Sequence, residues 1–318
     1  VKKSIKRKNF VDLSRYGMIF IAPFFIVFAI FQLFPLLYTF YESLDYTFKN
    51  GRKLIQEFGL GNYTNYVFGK AGGGELWYAL AITVVLWILN FIPQILLSLL
   101  LAAWFTDIKY NLKKAGLYKV IMYMPNIITA ATIAVLFYGL FATQGPITIL
   151  SRNLGLVGKN GFLNSGWASL LIIAFIQFWM WYGNTMIVLC AGIMGISPSL
   201  YEAAMVDGAT SRQQFFKITM PLLKPILQFT LVTSAIGGLQ MYDIPQLFNK
   251  GGPIVKLGSK SVMSTRTVVM LIKTYVSPGP TQNYGRAAAY SVVLFVVTLC
   301  VSLIFYKATS EKKDSNGR

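Results

Sequence analysis

Tyr201-Glu202-Ala203-Ala204-Met205-Val206-Asp207-Gly208-Ala209-Thr210, with Ile218-Thr219-Met220-Pro221 shortly after it, is a polar island between two long apolar runs. Its residues favour a compact helical pair. Ser199-Leu200-Tyr201-Glu202 has the layout of a capping box, Ser199 capping and Glu202 reaching back, while Ser197-Pro198 offers a competing start with Pro at the first helical position. Glu202 suits the positive end of a helix. Gly208 can leave the helix with positive φ. Ser211-Arg212-Gln213-Gln214 repeats the capping layout, and Pro221 marks entry to the next apolar run.

Outward from this island the chain reads as a membrane protein. Hydrophobic residues make up 55% and charged residues 13%, with a mean hydropathy of +0.56. A soluble domain carries about 25% charged residues. Six stretches hold no Asp, Glu, Lys or Arg: 16–41, 78–105, 121–142, 168–192, 225–242 and 287–306. Each is long enough for a helix to cross the hydrocarbon core, and the first two imply tilt or kinks, for which Pro23, Pro35 and Pro93 stand ready. The basic start (Lys2, Lys3, Lys6, Arg7, Lys8) resembles that of a signal peptide, but the apolar stretch is too long and no cleavage site follows, which predicts a retained helix.

Six spans put both ends on one side. The two ends and the 106–120 and 193–224 loops hold 17 of the 29 Lys and Arg, on shorter connections than the rest. That density predicts both termini and the Glu202 loop in the cytoplasm. The net charge of +18 is then mainly an orientation signal, and no nucleic-acid partner is expected. Cys190 and Cys300 lie inside spans and read as thiols buried in lipid or in the core, not as a disulfide. His is absent, and there is no zinc pattern and no phosphate-binding loop, so no metal, cofactor or catalytic residue is expected in this chain. An intramembrane enzyme would need His, Asp or Glu clusters within the spans. An ion-coupled secondary carrier, the alternative from another class, would need ionisable groups at mid-membrane. The spans have neither, so a transporter built this way draws its energy from a partner.

The whole string E-A-A, D-G-A and M-P resembles the cytoplasmic EAA loop of ABC importer permease subunits, and in particular their binding-protein-dependent carbohydrate (maltose-type) branch. The resemblance extends through nearly all of the chain. It rests on Ala22-Pro23, Phe34-Pro35 and Glu42-Ser43, on Gly61-Asn62-Tyr63, and on Met124-Pro125-Asn126. It also rests on Gly237-Gly238-Leu239-Gln240-Met241-Tyr242-Asp243 with Gly251-Gly252-Pro253, and on Tyr284-Gly285-Arg286. Ile82-Thr83 departs from the usual Asn-Thr, and Asn153 is out of register with the family's G-x-I-N element.

The resemblance implies an all-α polytopic chain of the ABC importer type I permease fold, 1–318 as a single transmembrane domain with a coupling loop at 197–221. It implies Glu202, Ala203, Ala204, Asp207, Gly208 and Pro221 as the coupling residues. It also implies a bacterial cytoplasmic membrane location and three kinds of partner besides the lipid bilayer: a second, homologous permease, two ABC ATPase subunits that bind ATP and Mg, and an extracytoplasmic solute-binding protein. Oligosaccharide is the expected substrate; an acidic saccharide or a phosphorylated polyol is the alternative.

Gln177, Trp181 and Asn184 are spaced four and three apart in the fourth span, so they share one helical face. Amides pair sugar hydroxyls and an indole covers apolar C–H faces. The competing reading is that the amides bond neighbouring helices and Trp181 packs. The resemblance favours Asn184 as a substrate contact. In the fifth span, Ser234, Gly238 and Met241 are expected on one face with Gly237 alongside, leaving room for a bulky ligand, and Gln240 is a neighbouring candidate. The same glycines alternatively serve close helix packing. Thr267–Tyr275 reads as a short amphipathic piece at the outer surface.

Overall fold

The computed structural model describes residues 14–50, 53–69, 74–107, 113–257 and 260–309. The elements that place the functional regions are helices, and six helical segments are long and apolar enough to cross a membrane. The first comprises α1 (Ser14–Phe28), a π-helical turn at Ala29–Leu33 and α2 (Phe34–Ser43). Pro35 begins α2 directly after the π turn, where its missing N–H costs nothing. Pro93 by contrast lies inside the unbroken α3 (Glu75–Thr106).

The third apolar stretch, expected as one span over 121–142, is two helices. α4 (Ala115–Ile127) and α5 (Ala130–Phe141) meet at Ile128–Thr129 in extended backbone. Pro125 removes a hydrogen-bond donor near the end of α4, and Thr129 caps α5 by accepting from the Thr132 N–H at 3.3 Å. α6 (Pro146–Asn153) follows, and α7 (Gly166–Met194) is the fourth span.

The island contains α8 (Pro198–Val206), α9 (Ser211–Gln214) and a π turn at Phe215–Thr219 that runs into α10 (Met220–Leu239). The fifth span, expected over 225–242, leaves the helical conformation after Leu239, and α11 (Asp243–Asn249) follows three residues later. α12 (Val268–Val276) and α13 (Tyr284–Thr309) complete the helices. Two antiparallel hairpins supplement the helical architecture: β1 (Asp45–Asn50) with β2 (Lys53–Phe58), and β3 (Ile254–Leu257) with β4 (Lys260–Met263).

α3 and α7 pack along their lengths and form the centre. Gly183 lets α4 close on α7: a Cβ there would stand 2.9 Å from the Tyr123 Cα. Leu86, Ile133, Ile173 and Ile176 fill one part of the core; Met186, Leu189 and Leu223 fill another. α12 does not lie on the outer surface as its amphipathic pattern suggests. Val268, Met270, Leu271 and Tyr275 are buried, wedged against α3 and α13. The first span is peripheral: α2 touches α13, Phe40 meeting Phe295 edge to face, while the helical window is otherwise uncovered.

The N-terminal end of α3 is held by a polar clasp. Glu75 accepts from Arg286 of α13 and from the Tyr275 hydroxyl. The Arg286 guanidinium lies 4.4 Å from the ring centroid of Tyr66 and 4.2 Å from that of Tyr275. Burial first, and then its bond to Glu75, push the Tyr275 hydroxyl well above the usual tyrosine range. Beside the clasp, Asn62 donates to the carbonyls of Ser43 and Asp45 at 2.9 and 2.8 Å. Gly285 comes so close that a Cβ would stand 2.7 Å from the Asn62 Nδ2. The Gly61-Asn62-Tyr63 and Tyr284-Gly285-Arg286 elements thus meet in space.

Candidate functional site

Halfway along the spans, α3, α7 and α10 surround a cavity of about 610 Å3. Gln177, Trp181 and Asn184 line it from α7, Ser234 and Gly238 from α10, and Gln240 and Met241 from the segment where the fifth span breaks. The structure therefore brings all seven candidate binding residues to one place. Gln177 is buried, and Trp181 keeps 46% of its surface exposed, an indole plate with an open face. Both helix breaks border the cavity, through Ala130 at one and Gln240 to Asp243 at the other. That placement has a physical reason: at membrane depth, non-helical backbone is tolerated only where protein or a water-filled cavity surrounds it.

The geometry corrects two expectations on α10. Met241 lies beyond the helix, so it reaches the cavity from the break and not from a shared helical face with Ser234. Gly238 offers no spare room. A Cβ at Gly238 would run into the indole of Trp87, 2.5 Å from its Cγ and 2.9 Å from its Nε1. Gly237 has nothing within 4 Å of the same position and is the open glycine.

The second span supplies residues that the sequence reading did not single out. Trp87, Asn90 and Gln94 line the cavity at spacings of three and four. Trp87 donates from Nε1 to the Ser234 Oγ at 3.0 Å and stacks on Phe91. Gln94 donates to the Thr185 Oγ1 at 2.7 Å, and Ser98, a turn further on, donates to the Tyr182 carbonyl at 2.7 Å. Their signal was present in the sequence as polar side chains recurring at helical spacing within an otherwise apolar run.

The candidate coupling residues sit away from this cavity, at the end of the molecule where α3 finishes. Leu96 to Asp107 of α3, Tyr201 and Met205 of α8 and the Ser211–Met220 segment border a second, mainly apolar hollow of about 710 Å3. α8 starts at Pro198 with Ser197 as its N-cap residue, so the Pro start prevails over the Ser199–Glu202 box; Ser199 instead bonds the Ser197 hydroxyl at 2.8 Å. The capping box that does form lies one residue earlier than Ser211 would place it. Thr210 accepts from the Gln213 N–H at 3.3 Å, and the Gln213 Oε1 accepts from the Thr210 N–H at 2.8 Å. Gly208 has φ +76°, the left-handed turn that separates α8 from α9.

Glu202, Ala203, Asp207, Gly208 and Pro221 are exposed, and Ala204 is half-buried. α8 buries none of its residues, and Val206 is 88% exposed. One side-chain bond fastens it to the fifth span: the Tyr201 hydroxyl and the Thr219 hydroxyl lie 2.9 Å apart.

A family model described as binding-protein-dependent transport system inner membrane component matches residues 76–313. The chain is similar to the lactose transport system permease protein LacF of Rhizobium radiobacter, 32% identical over 96% of this chain and 97% of that protein. It is similar to the trehalose/maltose transport system permease protein MalF of Thermococcus litoralis, 28% identical over 95% of this chain and 96% of that protein. Among solved structures it matches a chain of a bacterial ABC transporter involved in the import of the acidic polysaccharide alginate. That match has a TM-score of 0.68 and 21% identity, and it covers 94% of this chain and 96% of that one. At that identity it bears on the fold alone.

Proposed function

The chain belongs to the binding-protein-dependent transport system inner membrane components, and on that premise we propose that it is one of two permease subunits of an ATP-driven oligosaccharide importer. Six membrane-length helices and the family place it in the cytoplasmic membrane as a multi-pass protein. Both termini and α8 face the cytoplasm in this reading, in keeping with the density of Lys and Arg on those connections.

The observation that carries the proposal is the mid-span cavity. It combines amides (Gln177, Asn184), an open indole (Trp181) and an uncovered glycine (Gly237), as recognition of a hydroxyl-rich ring with apolar faces requires. A second permease closes its open side. An ATPase subunit that binds ATP and Mg docks on α8, and a second docks on the matching loop of the partner. Closure of the ATPases moves α8, the Tyr201–Thr219 bond passes the movement to α10, and α10 carries one wall of the cavity. An external binding protein loads the sugar. This chain supplies the path and the coupling surface; ATP hydrolysis belongs to its partners.

Co-purification of the assembled transporter, followed by reconstitution in vesicles, tests this. The reading expects ATP-dependent accumulation of an oligosaccharide in the presence of the binding protein. ATPase activity that no saccharide stimulates, with accumulation of some other solute, refutes it.

A further inference from the structure

The cavity has a charge character that the function above does not require. Among the described residues that line it there is no Lys or Arg, and Asp243 contributes a carboxylate at the fifth-span break. Asp243 is exposed. Lys273 holds its ammonium over the Tyr242 ring, 4.7 Å from the centroid, and is not part of the lining.

The two helix N-termini beside the cavity do little to offset this. Thr129 already occupies a donor at the start of α5, and Asp243 itself stands in the first turn of α11. A saccharide carboxylate brought here would leave water for indoles, amides and a like charge. The amides and hydroxyls of the lining offer it donors but no opposite charge, and a carboxylate enclosed without one beside Asp243 is costly. A neutral saccharide meets no such obstacle.

We propose that this cavity admits uncharged saccharides and turns away anionic ones, with Asp243 as the residue that sets the discrimination. The inference rests on the oligosaccharide-permease reading and adds the class of saccharide to it.

The test uses the assembled transporter with both permeases and both ATPases in lipid nanodiscs, without the binding protein, whose own selectivity would mask that of the cavity. Saturation-transfer-difference NMR measures Kd for a neutral glucan oligosaccharide and for a uronate oligosaccharide of equal length. The expected result is a neutral ligand bound at least about ten-fold more tightly, a difference of about 1.4 kcal/mol. Asp243→Asn should bring the two Kd values together by improving the uronate. Size-exclusion chromatography verifies that the variant complex remains assembled.

Equal or tighter uronate binding by the unaltered complex, with the neutral sugar still bound, overturns the charge filter and leaves the permease reading standing. An unchanged ratio in assembled Asp243→Asn removes Asp243 as its source. Binding of neither saccharide overturns this inference and leaves the oligosaccharide reading, in which the binding protein loads the sugar, to the transport test.

Discussion

Exchanging either glycine of the Gly237–Gly238 pair for alanine adds the same methyl group to two adjacent positions with opposite surroundings. At Gly238 the methyl collides with the Trp87 indole, part of whose ring lies within 3 Å of the new atom. The indole is itself stacked on Phe91 and tilted against Phe305, so it has little freedom to retreat. Overpacking of this kind costs about 1–3 kcal/mol. Displacing the ring also breaks the bond from Trp87 to Ser234, worth about 0.6–2 kcal/mol within a membrane. The expected loss for Gly238→Ala is therefore about 1.6–5 kcal/mol, summing these two terms. At Gly237 the methyl enters open space, and replacing Gly by Ala within a helix gains about 0.5–1 kcal/mol.

Thermal melting of the assembled complex, followed by size-exclusion chromatography, should rank Gly238→Ala well below the parent and Gly237→Ala at or slightly above it. Gly237→Phe should leave assembly intact but shrink the cavity, reducing uptake of long saccharides before short ones. Equal destabilisation by both alanines, or a harmless Gly238→Ala, would mean that α10 is rotated from the orientation described and that the cavity wall is assigned to the wrong face.

Glu202→Ala should abolish uptake while leaving the external binding protein's own sugar affinity unchanged. Gly208→Leu should do the same, adding about 1–2 kcal/mol of left-handed backbone cost and bulk at an exposed docking surface; normal uptake by both variants together refutes the coupling role. Tyr201→Phe removes the bond to Thr219 without changing the shape of α8. It should lower sugar uptake per ATP hydrolysed, and an unaltered ratio measured in vesicles would show that force passes by another route. Arg286→Ala should destabilise the complex, by less than the about 3–5 kcal/mol of a fully buried pair because Glu75 is 30% exposed, since it leaves Glu75 uncompensated and strips the cation from the rings of Tyr66 and Tyr275; melting no different from the parent would refute the clasp. A cysteine replacing Thr210 should be protected from an impermeant thiol reagent in intact cells and one replacing Asn160 should react; the reverse pattern overturns the orientation.

Much of this architecture is legible in the residues because the membrane imposes simple demands. Charge-free runs mark the spans, and Gly208 announces its left-handed turn by its position after Asp207. The face shared by Gln177, Trp181 and Asn184 follows from helical spacing alone, and the structure carries that face into the cavity. What spacing does not reveal is rotational phase. In a soluble helix, polar residues mark the outside; in α10 both lipid and protein interior favour apolar side chains, so the pattern does not show which of Gly237 and Gly238 meets Trp87. The helix breaks escaped notice for a related reason. Ile128–Thr129 lies within an uncharged run and Gln240–Tyr242 closes one just before Asp243, so neither carries a charge to mark the departure from helix. Likewise, α12 shows a stripe that fits a membrane surface as well as the cleft between α3 and α13. The position of its partners decides, and those lie far off in the chain.

The clasp at the N-terminal end of α3 has a bearing on how the protein is made. Glu75 and Arg286 are separated by 211 positions, so the first reaches the membrane long before the second has been synthesised. The bonds from Asn62 to Ser43 and Asp45 are local and can form early. The guanidinium that neutralises Glu75 and fills the space between Tyr66 and Tyr275 arrives only with the last helix. Until then a partly enclosed carboxylate lacks its counter-ion, and Val67, Leu76 and Leu239 lack the covering of Ala289 and Tyr290. A chain halted after its fifth span thus displays both an uncompensated charge and bare apolar surface. Arrival of Arg286 removes both at once. The ion pair therefore joins the beginning of the second span to the beginning of the last, and it forms only when the whole bundle is present.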